Sequence, residues 1–145
     1  MIIVIVVVIG IFVVVGIVGV MAALGIYGTR RYVGEAKKAE GKMEVARLAR
    51  GMASCAEADA GTLPASSPAV PATLAEDAGK EYMSPPDHWK DPAFSCASFS
   101  LMSPQYFQYQ WVSTNGTEGT ARAIADFDGD GSAEATFEVN VTCSA

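Results

Sequence analysis

Apolar positions run without a charged residue through residues 1–29, and Arg30 carries the first charge of the chain. A helix rises about 1.5 Å per residue, so about 20 apolar residues cross the hydrocarbon core of a bilayer. Within lipid, only a helix satisfies the backbone polar groups of a single segment. The pattern therefore predicts a transmembrane or filament-core helix over residues 1–29. A cleaved secretory signal is the alternative, but it would need a basic start and a shorter apolar core.

Glycines recur along this apolar run, at Gly10, Gly16, Gly19, Gly25 and Gly28. Small residues let helix backbones approach closely, which promotes helix association in membranes. The glycines therefore indicate a helix that packs against copies of itself. Glycine is also simply common in membrane helices, and that explanation predicts the same helix without the association.

The helical period continues beyond the apolar run, through a proline-free segment over residues 30–58 that is rich in Ala, Glu, Lys and Arg. Apolar residues at three- and four-residue steps form one stripe along it: Val33, Ala36, Ala39, Met43, Ala46, Ala49, Ala53 and Ala56. Because this stripe is narrow and mostly alanine, we expect it to lie closely against a flat sheet. Together the two segments predict one continuous helix over residues 1–58.

Residues 59–92 hold six of the seven prolines, which favours a long irregular connection over a helix or a strand. Beyond it, apolar and polar residues alternate with a period of two and aromatic residues are frequent, as is typical of half-buried strands. Four strands are predicted, over residues 93–101, 105–113, 120–127 and 133–142. Asn115-Gly116 and the Asp-Gly-Asp-Gly run at residues 128–131 supply turn signals.

These elements predict an α+β fold in which a long N-terminal helix packs on a four-stranded antiparallel sheet. Its parts are a transmembrane or filament-core helix (1–29), an amphipathic stem (30–58), a Pro-rich loop (59–92) and an antiparallel sheet region (93–145). With 145 residues, the chain has room for one such domain and not for two.

Charge is divided unevenly along the chain. Residues 30–50 carry seven basic and three acidic side chains, a balance of +4, whereas residues 51–145 carry three basic and thirteen acidic side chains, a balance of −10. The acidic part argues against nucleic acid as its main partner, so no nucleic acid is required. The basic stretch is free to pair with acidic surfaces or with phospholipid headgroups.

Acidic residues cluster between the last two predicted strands. Asp126, Asp128 and Asp130 offer hard oxygen ligands at the first, third and fifth positions of a calcium loop, and Glu134 adds a fourth carboxylate. The bidentate Glu of an EF-hand would fall at position 137, which is Phe137, so the loop is not an EF-hand. Two interpretations remain open: a calcium site, and a plain acidic turn with no cofactor.

Catalysis finds little support in the residue pattern. His88 is the only histidine, and it stands beside Trp89 in the Pro-rich loop. The chain has no Gly-x-Ser-x-Gly, Ser-x-x-Lys or phosphate-binding glycine motif. We therefore expect a protein that is not an enzyme.

Several segments resemble those of type IV pilins and pseudopilins. The run Gly19-Val-Met-Ala-Ala-Leu-Gly-Ile-Tyr resembles the family's Gly-Ile-Leu-Ala-Ala-Ile-Ala-Ile-Pro-Ala-Tyr stretch, and the helix that follows from Lys37 matches in character. The Asp-Phe-Asp-Gly-Asp-Gly run at residues 126–131 and the Ser-Pro-Gln-Tyr-Phe-Gln-Tyr run at residues 103–109 are similar to those of some short pilins. The resemblance implies a structural subunit of a type IV pilus-like filament, serving adhesion, motility or secretion and polymerising through its apolar helix.

Partners and location follow from the same resemblance. It implies a helical homopolymer of this chain, the inner membrane before assembly, and pilus or secretion assembly machinery. The product is an extracellular filament or a periplasmic pseudopilus of a Gram-negative-type bacterium. The alternative function is a single-pass, membrane-anchored periplasmic domain that binds a ligand or a protein partner.

The family carries a Glu at the fifth position of the mature chain, which neutralises the N-terminal amine of a neighbouring subunit. Counting from Met1 puts Ile5 at that position, and aligning on Gly19 puts Gly10 there. Neither residue is acidic. The resemblance and the glycine pattern together predict the self-assembly positions: Ile5 and Gly10 from the resemblance, and Gly10, Gly16, Gly19 and Gly25 from the spacing of small residues.

The basic residues directly after the apolar run bear on orientation, because positive charge prefers the cytoplasmic side of a membrane. A basic leader removed before Met1, which the resemblance implies, would restore the balance. Three cysteines also favour export. We therefore expect the part of the chain after the apolar helix to lie outside the cytoplasm.

Cys55, Cys96 and Cys143 are the three cysteines, and in an exported protein two of them would pair. A Cys55–Cys96 bridge would tie the stem to the sheet, and closing a loop of about 40 residues is worth roughly 3–4 kcal/mol. Cys96–Cys143 is the rival, because the resemblance implies a bridge from a C-terminal loop back to the sheet. In a cytosolic protein all three would be thiols.

Overall fold

The computed structural model describes residues 1–143 and has an α+β fold. Its elements are the helix α1 (Ile2–Ala58), the short helix α2 (Pro92–Cys96) and the strands β1 (Gln108–Asn115), β2 (Glu118–Ala125) and β3 (Ala135–Thr142). Two 3₁₀ turns, Leu74–Glu76 and Pro86–Lys90, lie in the Pro-rich loop. The predicted continuous helix is confirmed, since α1 runs unbroken for 57 residues.

The chain divides into two compact units, Met1–Ala36 and Lys37–Ala145. The first is the N-terminal part of α1, and its described side chains are exposed almost throughout. This part is held as a helix by its own backbone hydrogen bonds. By length and composition α1 can cross a membrane, and its most apolar window has a mean hydropathy of 3.4. The second unit, described over residues 37–143, is called the head below.

One face of the stem is buried in the head. Its members are Gly41, Val45, Leu48, Ala49, Met52, Cys55 and Ala56. The predicted alanine-rich stripe is only partly correct: Ala49 and Ala56 are buried and Ala53 packs against the core, whereas Val33, Ala36, Ala39 and Met43 are exposed. Val45, Leu48 and Met52 bury more apolar area than alanines do, and burial of that area is what stabilises the packed helix.

Two glycines allow the stem to approach its neighbours closely. A Cβ atom at Gly41 would stand 2.5 Å from the ring of Phe107, and one at Gly51 would stand 2.3 Å from the carbonyl oxygen of Ala97. Neither distance is tolerated between real atoms, and Phe107 is itself fully buried. Glycine is therefore required at both positions for the stem to pack as it does.

The sheet has three antiparallel strands in the order β1-β2-β3, so the predicted fourth strand is absent from the described residues. The predicted alternation on β2 is confirmed, because Ala121, Ala123 and Ala125 are all fully buried. On β3, Ala135 and Val141 are buried. The three alanines of β2, the central strand, leave room for the stem above the sheet.

The segment predicted as the first strand, residues 93–101, forms α2 and the turn after it instead. The carboxylate of Asp91 accepts a hydrogen bond from the backbone N–H of Ala93 at 2.9 Å, and a proline opens the helix. The rings of Phe94 and Phe99 then converge on Trp89, with centroids 5.1 and 5.4 Å away. Both phenylalanines are buried, but around a helical turn rather than along a strand.

The outer edge of β1 is covered by the Pro-rich loop. Val70 forms an antiparallel bridge with Tyr109, and the backbone N–H of Ser67 donates to the carbonyl of Trp111 at 2.9 Å. The buried side chain of Gln105 donates to the carbonyl of Val70 at 3.1 Å. The loop therefore satisfies the backbone groups that a fourth strand would otherwise have satisfied.

Candidate functional site

The apolar part of α1 presents open surface at all of the predicted self-assembly positions. Ile5 keeps 51% of its surface exposed. A Cβ atom at Gly10, Gly16, Gly19 or Gly25 would meet no atom within 4 Å, so a second helix has room to lie against each glycine. Burying a large apolar side chain is worth about 1.5–3 kcal/mol relative to exposing it. Lipid or protein packed around this surface would therefore stabilise it.

The stem has a second apolar face that the head covers only in part, which we call the open stem face. It consists of Ala39, Met43, Ala46 and Ala53, four residues of the stripe that the sequence assigned to the sheet. Met43 is 63% exposed. Ala46 and Ala53 are half-buried along a shallow groove beside β3, and Ala53 packs against the core. The stem is therefore apolar on two faces, of which the head buries one and leaves the other partly exposed.

The disulfide is one of the two predicted alternatives, the Cys55–Cys96 pair. Cys55 and Cys96 form a disulfide with their Cα atoms 5.4 Å apart, and Cys143 is free. The rival Cys96–Cys143 pairing is wrong. Because Cys96 lies at the end of α2, the bridge ties the stem to a helical turn rather than to a strand.

The acidic loop, residues 126–134, connects β2 to β3. One carboxylate oxygen from each of Asp126, Asp128 and Asp130 lies within 4.8 Å of the other two. Calcium binds oxygen ligands at about 2.3–2.6 Å, so a single ion can contact all three carboxylates. The three aspartates of the predicted site therefore fit a calcium ion in both donor chemistry and spacing.

Glu134, the fourth predicted ligand, lies outside that group. Its Oε2 atom accepts a hydrogen bond from the backbone N–H of Phe127 at 2.5 Å. Asp126 also has a role in the loop, since its two oxygens accept from the N–H groups of Gly129 at 2.7 Å and Gly131 at 2.9 Å. Burial raises the pKa of Asp126, but these hydrogen bonds outweigh it and hold the pKa below its usual value. Both residues thus shape the loop without needing a metal ion.

Asp77 packs beside the acidic loop and was not anticipated from the sequence. It is 2% exposed, and neither carboxylate oxygen has a hydrogen-bond partner among the described residues. Burial, followed by the charges of Asp126 and Glu76, raises the pKa of Asp77 to about 6. The backbone N–H of Gly79 donates to the carbonyl of Asp126 at 2.8 Å, so the Pro-rich loop is joined to the acidic loop here. Asp77 does not belong to the group of three carboxylates.

No local signal in the sequence marks Asp77. It stands between Glu76 and Ala78 in a polar stretch of the Pro-rich loop, where an acidic side chain is expected to be solvated. Its burial follows from contact with a loop that is distant in the sequence. Such a contact leaves no trace in composition or periodicity.

Comparison of the chain with protein-family models, with curated proteins and with solved structures yields no match. The likeness to type IV pilins and pseudopilins therefore rests on the sequence segments that carry it. The uncovered faces of α1, the acidic loop and the disulfide are the features on which a function can be proposed.

Proposed function

We propose that this protein is the structural subunit of a type IV pilus-like filament and polymerises through α1. The observation that carries the proposal is the uncovered apolar surface of α1, both over residues 3–27 and on the open stem face. A membrane anchor alone accounts for the first surface. It does not account for the second, which belongs to the folded head and lies beyond the apolar run. Association between copies gives both surfaces a partner.

The residues on these surfaces suit packing between helices. Three of the four members of the open stem face are alanines, and glycines recur along the apolar part of α1. Small side chains permit interaxial distances at the short end of the usual range of about 8–10 Å. In the proposed filament the apolar helices of many copies form the core, and the heads form the surface.

The location follows from the same proposal. Before assembly the subunit lies in the inner membrane with its head outside the cytoplasm. Pilus or secretion machinery then assembles it into an extracellular filament or a periplasmic pseudopilus. The Cys55–Cys96 disulfide supports an oxidising compartment for the head, since such bonds are rare in the cytosol. Adhesion, motility and secretion are the roles that a filament of this kind serves.

Electron microscopy of the full chain after detergent removal tests the proposal. We expect regular helical filaments from the wild type and none from Met43→Glu, because a charge on the open stem face would be buried between copies. Met43 is exposed in the head, so the variant should fold normally. Thr136→Glu is the matched control, since it adds the same charge at an exposed position of β3.

Two outcomes count against the proposal. A wild-type chain that forms no filaments after detergent removal would contradict it and would favour a membrane-anchored domain that binds a ligand or a partner. Filaments formed equally well by Met43→Glu would show that the open stem face lies outside the contacts between copies.

A further inference from the structure

A cavity of about 440 Å³ lies between the stem and the turn after α2. Two arginines, Arg47 and Arg50, and two hydroxyl groups, those of Ser54 and Ser98, line it, and no acidic side chain does. Residues 51–145, which make up most of the head, are acidic overall, with a charge balance of −10. The arginine cavity is therefore a local concentration of positive charge on an acidic head.

The two arginines are held differently. Arg47 pairs with Glu44 at 2.7 Å, donates to the carbonyl of Ser100 at 2.9 Å, and lies over the ring of Phe99 at 4.6 Å. Arg50 is exposed and has no ion pair among the described residues. Arg47 is therefore fixed in position, whereas Arg50 contributes a positive charge that no acidic side chain of the described residues pairs with.

The acidic loop carries the complementary charge. Asp128 and Asp130 are exposed, and they accept hydrogen bonds from the backbone N–H groups of Asp130 and Ser132, respectively. No ion pair joins either carboxylate to a basic side chain in residues 1–143 as described. Lys37, on the adjoining part of the stem, lies instead over the rings of Tyr106 and Phe127.

The two features cannot meet within one chain. Lys37 approaches the ring of Phe127 at the start of the acidic loop, so the loop lies at the level of residue 37 on the stem. Residues 37 to 50 of a helix span about 20 Å at about 1.5 Å per residue. The carboxylates of the loop therefore reach an arginine cavity only in another copy. A contact between two different patches of identical chains is heterologous, and it generates an open helical polymer unless its rotation closes a ring.

We propose that the arginine cavity of one copy receives the carboxylates of Asp128 and Asp130 from a second copy. This inference rests on the proposed filament function and adds the contact that sets the register between neighbouring heads. Guanidinium groups pair with carboxylates in a fixed planar geometry. The hydrophobic effect is non-directional, so contacts between apolar helices define the axial position of a neighbour only weakly. Complementary charges define it more sharply, because a misaligned neighbour loses the attraction or meets a like charge.

Charge reversal in the full chain tests the pairing. Arg50→Glu and Asp130→Arg should each raise the critical subunit concentration for filament assembly about five- to tenfold, since each replaces an attraction by a repulsion at every contact. The double variant Arg50→Glu/Asp130→Arg should return to within about twofold of the wild type, because the pair is re-formed with its charges exchanged. Lys90→Glu is the matched control, as its side chain is 76% exposed and lies outside both patches. It should assemble like the wild type.

The results that would overturn the pairing are distinct from those that would overturn the filament. A double variant no better than the worse single variant, or an Arg50→Glu variant indistinguishable from Lys90→Glu, would overturn the pairing while the wild-type filament stands. Normal assembly of Asp130→Arg beside a defect in Arg50→Glu would assign the cavity to another anion, such as inorganic phosphate, and would also overturn it. A wild-type chain that forms no filaments would contradict both proposals together.

Discussion

The two parts of α1 share one secondary structure but differ in what surrounds it. In the stem, Leu48 and Met52 are fully buried against the sheet, whereas Ile3 in the apolar part is 78% exposed. Most helical stability in proteins comes from packing of one face rather than from intrinsic propensity. The stem is therefore stabilised as a helix by its packing in the head, whereas the apolar part is held as a helix by its own backbone hydrogen bonds. Changes in the head should leave the apolar part unaffected.

Opening the disulfide should give the largest difference between the two parts. Replacing Cys55 and Cys96 with serine releases a loop that spans a sequence separation of 41. We expect the head to lose about 3–4 kcal/mol of unfolding free energy, with no change in the helicity of the apolar part. Urea unfolding in detergent micelles, followed by tryptophan fluorescence, reports on the head alone because Trp89 and Trp111 are both buried in it.

Cys143→Ser is the control for the disulfide, since Cys143 is free and its loss should leave the unfolding midpoint unchanged. A doubly substituted head that unfolds at the same urea concentration as the wild type would show that the bridge contributes no stability.

Acidification should also affect the head and not the apolar part, but here the unfolding free energy of the head should increase. The pKa of Asp77 is about 6 in the folded head against an ordinary value of 3.8. The folded state therefore takes up a proton at a higher pH than the unfolded state does. Stability should rise as the pH falls from 7 through about 6 towards 4, by up to about 3 kcal/mol, and then level off. Residues 1–29 contain no Asp, Glu, Lys, Arg or His, so the apolar part should not respond.

Asp77→Asn should remove this rise, as judged by urea midpoints at pH 7, 6 and 5 in the presence of a chelator. Burial also raises the pKa of Glu40, which acts in the same direction, so the diagnostic quantity is the difference between the wild type and Asp77→Asn. Asp87→Asn, at an exposed aspartate paired with Lys90, should keep the rise. Equal pH slopes for the wild type and Asp77→Asn would contradict the role of Asp77.

One substitution made in each part of the helix should give the smallest effects, and they should have opposite signs. Gly51→Ala should destabilise the head by about 2 kcal/mol, because the added Cβ meets a backbone carbonyl. Gly28→Ala, in the apolar part, should stabilise the helix by up to about 1 kcal/mol, because nothing lies within 4 Å of its Cβ and alanine is the better helix former. Urea unfolding measures the first effect, and thermal loss of helical ellipticity in micelles measures the second. If both substitutions change stability in the same direction, the packed stem and the exposed apolar part do not differ in the way described.

Elements set by local pattern were predicted from the sequence. The 1–58 helix follows from an uncharged apolar run that continues into an Ala-rich, proline-free segment. The inward face of β2 follows from the alternation of Ala121, Ala123 and Ala125. The error at residues 93–101 was also local. Asp91 and the proline after it are a helix start signal, but the aromatic residues that follow resemble a strand.

The candidate sites were predicted less completely than the fold. The three aspartates of the acidic loop come together as their spacing suggested, because a short loop confines them. Glu134 is engaged by a backbone N–H, and the burial of Asp77 depends on a distant segment. The arginine cavity is formed by the stem and the turn after α2, and neither segment indicates a cavity by itself.

By itself, the sequence determined that residues 1–29 form a helix that must leave water, that this helix extends through the stem, and that β2 turns its alanines inward. Transfer from water and the periods of helix and strand act within a single segment, so they can be read from it. Only the tertiary structure decided which of two apolar stem faces the sheet covers, which cysteine Cys55 pairs with, and that Asp77 is buried. Those outcomes depend on how the volumes of distant segments fit together, since both stem faces satisfy the helical period equally well.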